Sequence, residues 1–380
     1  MFIAYRFLFK TCYNTSMKVL YVITSTDVGG AEKSLVELVK TISPLHTVRV
    51  VSLKHAGPLA EELKSVGASV VSLEMTGAGL GCVSKLSTEI KAFQPDIVHA
   101  MLFRAIEFAR LACAGRNIKL ITTPHFDLSQ KPLWMRWLDR ALKSIDTVST
   151  AESLSTYNYL RDIQRYPPQK TLFVGNSVKK SLFFKDNSMR QSMRKKNDFA
   201  DEDVVFISVA RLAAVKNPQG LLNAFSKILP ACPRAKLIYV GDGQQYSVLE
   251  KQIQERNLST HVLLAGEQKN INEWLNMADA FVLFSKEESL PLALLEAQQV
   301  GLPCIVSKVG DMPKQIEHGK DGFVCKSGDE MLLSCLLTEL YGNSTLREKM
   351  SSYSLQKNAT IIDSSQQYQQ LYQQIIENKA

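Results

Sequence analysis

The stretch AFVLFSKEESLPLALLEAQQVGLPCIVS, residues Ala280–Ser307, decides the fold. Ala280–Ser285 and Pro303–Ser307 are short, nearly continuous apolar runs of the kind that form strands buried on both faces. Between them Glu287, Glu288 and Ser289 occupy a loop, and Pro291 suits the first turn of a helix, where its missing N–H is not needed. That helix runs to about Val300 and stops at Gly301. Two buried strands joined through one helix make a parallel crossover, the repeating unit of a doubly wound sheet.

The same rhythm extends outward in both directions. Upstream in the second half lie Val204–Ala210, Lys236–Gly241 and Val262–Gly266, and downstream lies Gly322–Lys326. The first half repeats it with Lys18–Thr24, Thr47–Leu53, Ser69–Leu73, Asp96–Ala100, Lys119–Thr123, Thr147–Thr150 and Thr171–Gly175. The expected architecture is α/β: two doubly wound, Rossmann-like parallel-sheet domains facing a cleft, with the carboxyl ends of both sets of strands turned towards it. Residues 17–180 form the first domain and 181–356 the second. A terminal helix within about 357–380, rich in Gln and Tyr, is expected to pack back on the first. The charged run Lys179–Asp203, with Arg190, Arg194, Lys195 and Lys196, reads as a linker plus a surface helix. Residues 1–16 are apolar but broken by Arg6 and Lys10. They read as an extension before a start at Met17, or as a weak surface anchor.

Composition narrows the classes of function. The 380 residues are 45% hydrophobic, enough for sizeable cores. Seven Cys, an odd number without a Cys-x-x-Cys pair, fit reduced thiols in a cytosol better than a disulfide framework. No apolar run reaches the roughly 18–20 residues of a membrane span. The net charge of +8 is uneven. Residues 1–178 hold 21 Lys and Arg against 14 Asp and Glu, and residues 179–380 hold 24 against 23. A basic first half favours an anionic partner such as a phospholipid surface. No basic run interleaved with aromatics marks a nucleic-acid module.

Chemistry concentrates at strand ends. The first turn of the helix after Pro291 presents free amides and a positive dipole end to an anion, at Ser289–Leu292. Glu288 and Glu296 stand eight apart, a spacing that alone is coincidence on a solvated face. ARLAAVKN (Ala210–Asn217) places Arg211 and Lys216 in a turn before a helix, where two cations can clamp a diphosphate. Gly241 and Gly243 form a tight turn after another strand. In TDVGGAEKSL (Thr26–Leu35), Gly29 and Gly30 let backbone approach a ligand ahead of a helix, and Glu32 reads as a first-turn residue. TTPHFD (Thr122–Asp127) sets His125 at a strand end, and His99 reads as structural. Asp201-Glu202-Asp203 reads as a solvated entry loop rather than a metal motif. Pro132–Thr147 makes an amphipathic helix, with Trp134, Trp137, Leu138, Ala141, Leu142 and Ile145 on one face and Arg136, Arg140 and Lys143 on another. Its plainer reading is a helix packed on its sheet. The sharper reading is a surface helix meeting anionic lipid.

Glu-Ser-Leu-Pro, then Leu-Leu-Glu-Ala, then Gly-Leu-Pro before a strand, resembles the hallmark of the retaining, Glu-x7-Glu glycosyltransferases of glycosyltransferase family four, two-domain GT-B enzymes. Nearly all of residues 17–380 fits that pattern. The resemblance implies transfer of a sugar from a UDP- or GDP-sugar to a glycan or lipid-linked acceptor, in surface polysaccharide or lipopolysaccharide synthesis. It implies no metal or other cofactor; the unpaired cysteines and the basic first half add the expectation of a cytoplasmic protein at the inner face of the plasma membrane. The donor would lie on the second domain and the acceptor on the first. It implies that Arg211 and Lys216 bind the donor pyrophosphate with the amides of Ser289, Leu290 and Leu292, and that Gly241 and Gly243 lie beneath it. Gly29 and Gly30 would face the donor across the cleft. Glu288 would take hydrogen bonds from sugar hydroxyls, Glu296 would hold the ribose, Glu267 and Lys269 would meet the base, and His125 would support the reaction. An epimerase, a phosphorylase and a non-catalytic scaffold are the competing readings on this fold.

Overall fold

The computed structural model describes residues 16–77, 79–125, 132–359 and 363–377. The extension lies outside the described residues except for Ser16, as do Phe126 and Asp127. All the strands read from sequence are present. The first sheet comprises β1 (Lys18–Ile23), β2 (Thr47–Ser52), β3 (Ala68–Ser72), β4 (Ile97–Met101), β5 (Lys119–Thr123), β6 (Val148–Ala151) and β7 (Thr171–Phe173). The second comprises β8 (Val204–Val209), β9 (Ala235–Val240), β10 (Val262–Leu264), β11 (Ala280–Leu283), β12 (Cys304–Ser307) and β13 (Gly322–Cys325).

Strand order is β3-β2-β1-β4-β5-β6-β7 in one sheet and β10-β9-β8-β11-β12-β13 in the other, with every named pairing parallel. Each order reverses once, between β1 and β4 and between β8 and β11. A crevice opens at such a switch point, outside the carboxyl ends of the strands. The central strands explain why the apolar runs were continuous: Leu20, Tyr21, Phe206 and Ile207 are wholly buried, with helices covering both faces.

The helix after β11 spans Leu292–Val300 and ends at Gly301, whose φ of 84° is the left-handed cap that the sequence signalled. Pro291 lies one residue earlier than expected. It is the extended N-cap (φ −72°, ψ 133°), because a chain leaving a strand end must turn before its dihedrals become helical.

The charged stretch forms the expected surface helix and adds a role for its arginines. Its helix, Asn187–Lys196, has most of its residues exposed, but it also buries Met193 and Arg194. Arg190 and Arg194, one helical turn apart, both grip Asp279 at 2.6 Å at the entrance to β11. The positive charge there is structural glue.

The final helix, Ser364–Glu377, lies against the helix Gly30–Ile42 and adds Tyr368, Leu371, Tyr372 and Ile375 to the first domain's core. Tyr372 Oη lies 2.6 Å from His99 Nδ1, and Thr123 Oγ1 lies 2.7 Å from Nε2. Burial lowers the His99 pKa to about 3, so the ring is a neutral bolt between sheet and helix.

Under the other side of that sheet sits a closed ionic cluster. Arg110, 1% exposed, forks onto Asp146 at 2.6 and 2.8 Å and donates to Asp139 at 2.9 Å and Glu107 at 2.7 Å. Tyr166 donates to Asp139 at 2.8 Å. Burial pushes the Glu107 carboxyl up to about 7 despite the nearby guanidinium.

Candidate active site

The loops singled out in the sequence all leave carboxyl ends of strands. Gly29 and Gly30 follow β1, and His125 follows β5. Arg211 and Lys216 follow β8, Gly241 and Gly243 follow β9, Glu267 follows β10, and Glu288 and Ser289 follow β11.

On the second domain, Lys216 Nζ forms an ion pair with Glu288 Oε1, which also accepts from Ser285 Oγ at 3.1 Å. The backbone supports this pair, because Lys286 N donates to Val215 O at 2.8 Å and so joins the two loops. Arg211, at the start of the turn that carries Lys216, is exposed. Gly241 and Gly243 are glycine for a specific reason. A Cβ at Gly241 would stand 2.1 Å from Ala210 O, and one at Gly243 would stand 2.6 Å from Leu212 O. Both have positive φ, so the two loops press backbone to backbone and fix the course of the Arg211–Lys216 turn.

Gly310, in the loop after β12, does the same for Glu288. Its φ is +53°, and a Cβ there would lie 2.1 Å from Glu288 O and 2.5 Å from Ser289 O. The next amide, Asp311 N, donates to Ser289 O at 2.9 Å. Gly310→Ala is therefore expected to cost at least ~1–2 kcal/mol in the left-handed conformation alone, and to shift the Glu288 loop as well. Denaturant unfolding and donor binding of the variant check both effects.

The first domain answers across the cleft. His125 has φ +57°, a strained conformation for a non-glycine residue, and its buried Nε2 has no hydrogen-bond partner among the described residues. Burial lowers its pKa to about 4, leaving a neutral imidazole. Glu152, after β6, is 2% exposed; its Oε1 accepts from Thr156 Oγ1 at 3.1 Å and from Ser289 Oγ at 3.2 Å, and its Oε2 has no partner. Burial pushes the Glu152 carboxyl up, against hydrogen bonds that include the His125 amide. One buried carboxylate thus ties the His125 backbone to the Glu288–Ser289 loop of the other domain. Ser155 N donating to Asp311 Oδ2 at 3.0 Å and Asn176 Nδ2 donating to Leu290 O at 3.1 Å complete the seam.

Glu296 lines a cavity of about 490 Å³ with Lys33, Leu292, Lys269, Asn270 and Ile271. Burial raises its pKa to about 7, and Lys33 from the first domain works the other way. Burial likewise raises Glu32, while Arg211 lowers it from across the cleft. Glu267 is exposed and stands outside this lining; Lys269 occupies the wall instead. Gly29 is the extended N-cap of its helix, and a Cβ there would collide with Glu32 Oε2 at 2.2 Å. Gly30 has no atom within 4 Å of a Cβ position, so nothing in the chain itself requires glycine there.

Sequence reasoning missed Lys33, Glu152, Gly310 and Asp311. The rule that ligands gather at carboxyl strand ends could have found Glu152, two residues after the run Thr147–Thr150. Asp201-Glu202-Asp203 precedes β8, at the opposite edge of the sheet, and Glu202 pairs with Arg234 at 3.0 Å. Among the described residues no group of three or more His, Cys, Asp or Glu could hold a metal ion.

Two family models match in tandem: Glycosyltransferase Family 4 over residues 28–181 and Glycosyl transferases group 1 over residues 189–357. The chain is 28% identical over 310 residues to N-acetyl-alpha-D-glucosaminyl L-malate synthase of Bacillus anthracis, covering 78% of this chain and 79% of that protein. A shorter stretch of 138 residues, 36% of this chain and 34% of its relative, is 37% identical to the UDP-Gal:alpha-D-GlcNAc-diphosphoundecaprenol alpha-1,3-galactosyltransferase of Escherichia coli. Anabaena Alr3699/HepE, solved in complex with UDP, shares the fold with a TM-score of 0.81 over 94% of this chain and 99% of that one, at 19% identity.

Proposed function

We propose, from the premise that this chain is a family-4-like glycosyltransferase of the GT-B fold, that it is a retaining enzyme moving a sugar from a UDP-sugar to a glycan or lipid-linked acceptor. The observation that carries the donor site is the Lys216–Glu288 pair, which joins the loops after β8 and β11 just ahead of the Leu292–Val300 helix, whose Leu292 lines the same cavity as Glu296. Cations and free amides at one place suit a diphosphate leaving group, whose charge grows as the glycosidic bond breaks. Arg211, Lys216 and the amides of Ser289, Leu290 and Leu292 take that charge. Glu288 is then freed from Lys216 to accept from sugar hydroxyls, and Glu296 accepts from the ribose. Neutral His125 offers Nε2 to the transferred sugar. Uridine is favoured over guanosine by the relatives named with UDP or a UDP-sugar. Acceptor binding falls to the first domain, in a cleft whose closure excludes water.

The test is thermal stabilisation by UDP, GDP and ADP in the presence of EDTA. UDP at ~100 times its dissociation constant should stabilise the protein by about 2.7 kcal/mol, and Glu296→Ala should abolish the shift. A folded parent that no nucleotide stabilises would sink the donor assignment.

The raised Glu296 pKa sets a pH dependence. The ionised carboxylate is the better acceptor for ribose hydroxyls, so UDP affinity should rise from about pH 6 to about pH 8 as Glu296 loses its proton. In the free protein the sign is opposite. A folded pKa of about 7 against a usual 4.5 means the group costs stability as pH climbs through that window. Isothermal titration of Glu296→Gln should show a flattened affinity profile.

A further inference from the structure

The helix Leu133–Leu142 is built inside out. Its inward face is polar: Asp139, 3% exposed, is held by Arg110 and Tyr166, and Gln164 donates to Arg136 O at 3.3 Å. Met135 is the apolar side chain it turns inward, beside Phe103 and Tyr159. Its outward face is apolar. Trp137 is 77% exposed, Leu133 71%, Trp134 61% and Leu138 36%. Trp137 and Leu133 head the exposed large apolar side chains among the described residues. The expectation that this face packs on the sheet is therefore overturned, because the buried Arg110 cluster claims the polar side of the helix.

The exposed charge around the face is mostly positive. Between residues 132 and 166 the sequence has five basic residues, Arg136, Arg140, Lys143, Arg161 and Arg165, and four acids. Three of those acids, Asp139, Asp146 and Glu152, are buried, which leaves Asp162 as the exposed one. Paired tryptophans beside cations suit the boundary between headgroups and acyl chains, where an indole keeps one side apolar and one side wet. A protein partner buried against this face would have to desolvate those cations, whereas an anionic surface neutralises them.

We propose that Leu133–Leu142 seats the first domain on an anionic phospholipid bilayer. Trp134 packs edge-on against Phe103, which begins the helix after β4, so the bilayer lies beside the carboxyl edge that carries His125. On the transfer reading, which this step rests on, that places a lipid-linked acceptor at the mouth of the cleft without its leaving the membrane.

The test uses the full chain, phosphatidylglycerol-rich vesicles and pure phosphatidylcholine vesicles, without donor. Sedimentation should show binding to the anionic vesicles that weakens with salt, and tryptophan emission should shift to the blue. Trp274, the third tryptophan, is already buried at 8% exposure, so the shift reports Trp134 and Trp137. Trp134→Ser with Trp137→Ser should lower vesicle partition by about tenfold or more while leaving UDP stabilisation unchanged. Equal binding by parent and double variant, or no binding by the parent, overturns the proposal. So does a concentration-dependent dimer that the double variant loses without any vesicle binding. Loss of UDP stabilisation in the parent strikes the transfer reading alone.

Discussion

Lys216→Ala is expected to lower kcat/KM for transfer by roughly 10³-fold, about 4 kcal/mol of transition-state stabilisation, with little change in fold stability. Among the described residues Lys216 is paired with the one carboxylate of Glu288, and on the transfer reading proposed above its ammonium meets the diphosphate charge as it develops. Its removal has two consequences. The leaving group loses a cation that matters more as the bond breaks, which lowers kcat. Glu288 also loses the ion pair that orients it, although Ser285 Oγ still donates to the same oxygen. Steady-state kinetics separate these, because a purely ground-state role would raise KM and leave kcat alone. Unchanged kcat in a folded Lys216→Ala would remove this residue from the transfer step.

Arg110→Ala is expected to destabilise the first domain by ~3–5 kcal/mol, a large share of a domain's total stability. Truncation would leave Asp146, Asp139 and Glu107 facing one another in a site that water does not reach. Replacing one partner of a buried cluster is costly for that reason, whatever the cluster as a whole contributes. The sign of its pH dependence is a further check. Without the guanidinium the carboxyls would be pushed up in the folded protein, which then binds more protons than the unfolded chain. The deficit relative to the parent should therefore shrink as pH falls. Urea unfolding at several pH values tests this, and hydrogen exchange over 133–166 should show the tryptophan helix loosening first, since Asp139 is its clasp.

How far the chain could be read before its structure depended on whether the physics was local. Strand positions and the Gly301 stop follow from neighbouring residues, and they were legible. Arg211, Lys216 and Glu288 lie in loops after strand ends, where the carboxyl-edge rule expects a ligand, and Glu296 lies on the helix that follows Glu288. Glu152 and Ser289 meet across 137 positions of sequence. No local pattern encodes that contact. Gly310 is glycine because of the backbone of Glu288, on a neighbouring strand's loop. The Leu133–Leu142 helix shows the limit most plainly. Its periodicity gave two faces correctly, but a period cannot say which face turns inward. A buried arginine on another helix decided that.

The return of the final helix to the first domain carries a consequence for synthesis. That domain's core is completed by Tyr368, Leu371, Tyr372 and Ile375, so the second domain is in effect an insertion within the first. A chain emerging from the ribosome can finish the second domain while the first still lacks its last wall, although the first was made earlier. Vectorial order and folding order are reversed, and the first domain must wait, with His99 lacking its Tyr372 partner, until the helix Ser364–Glu377 has been made.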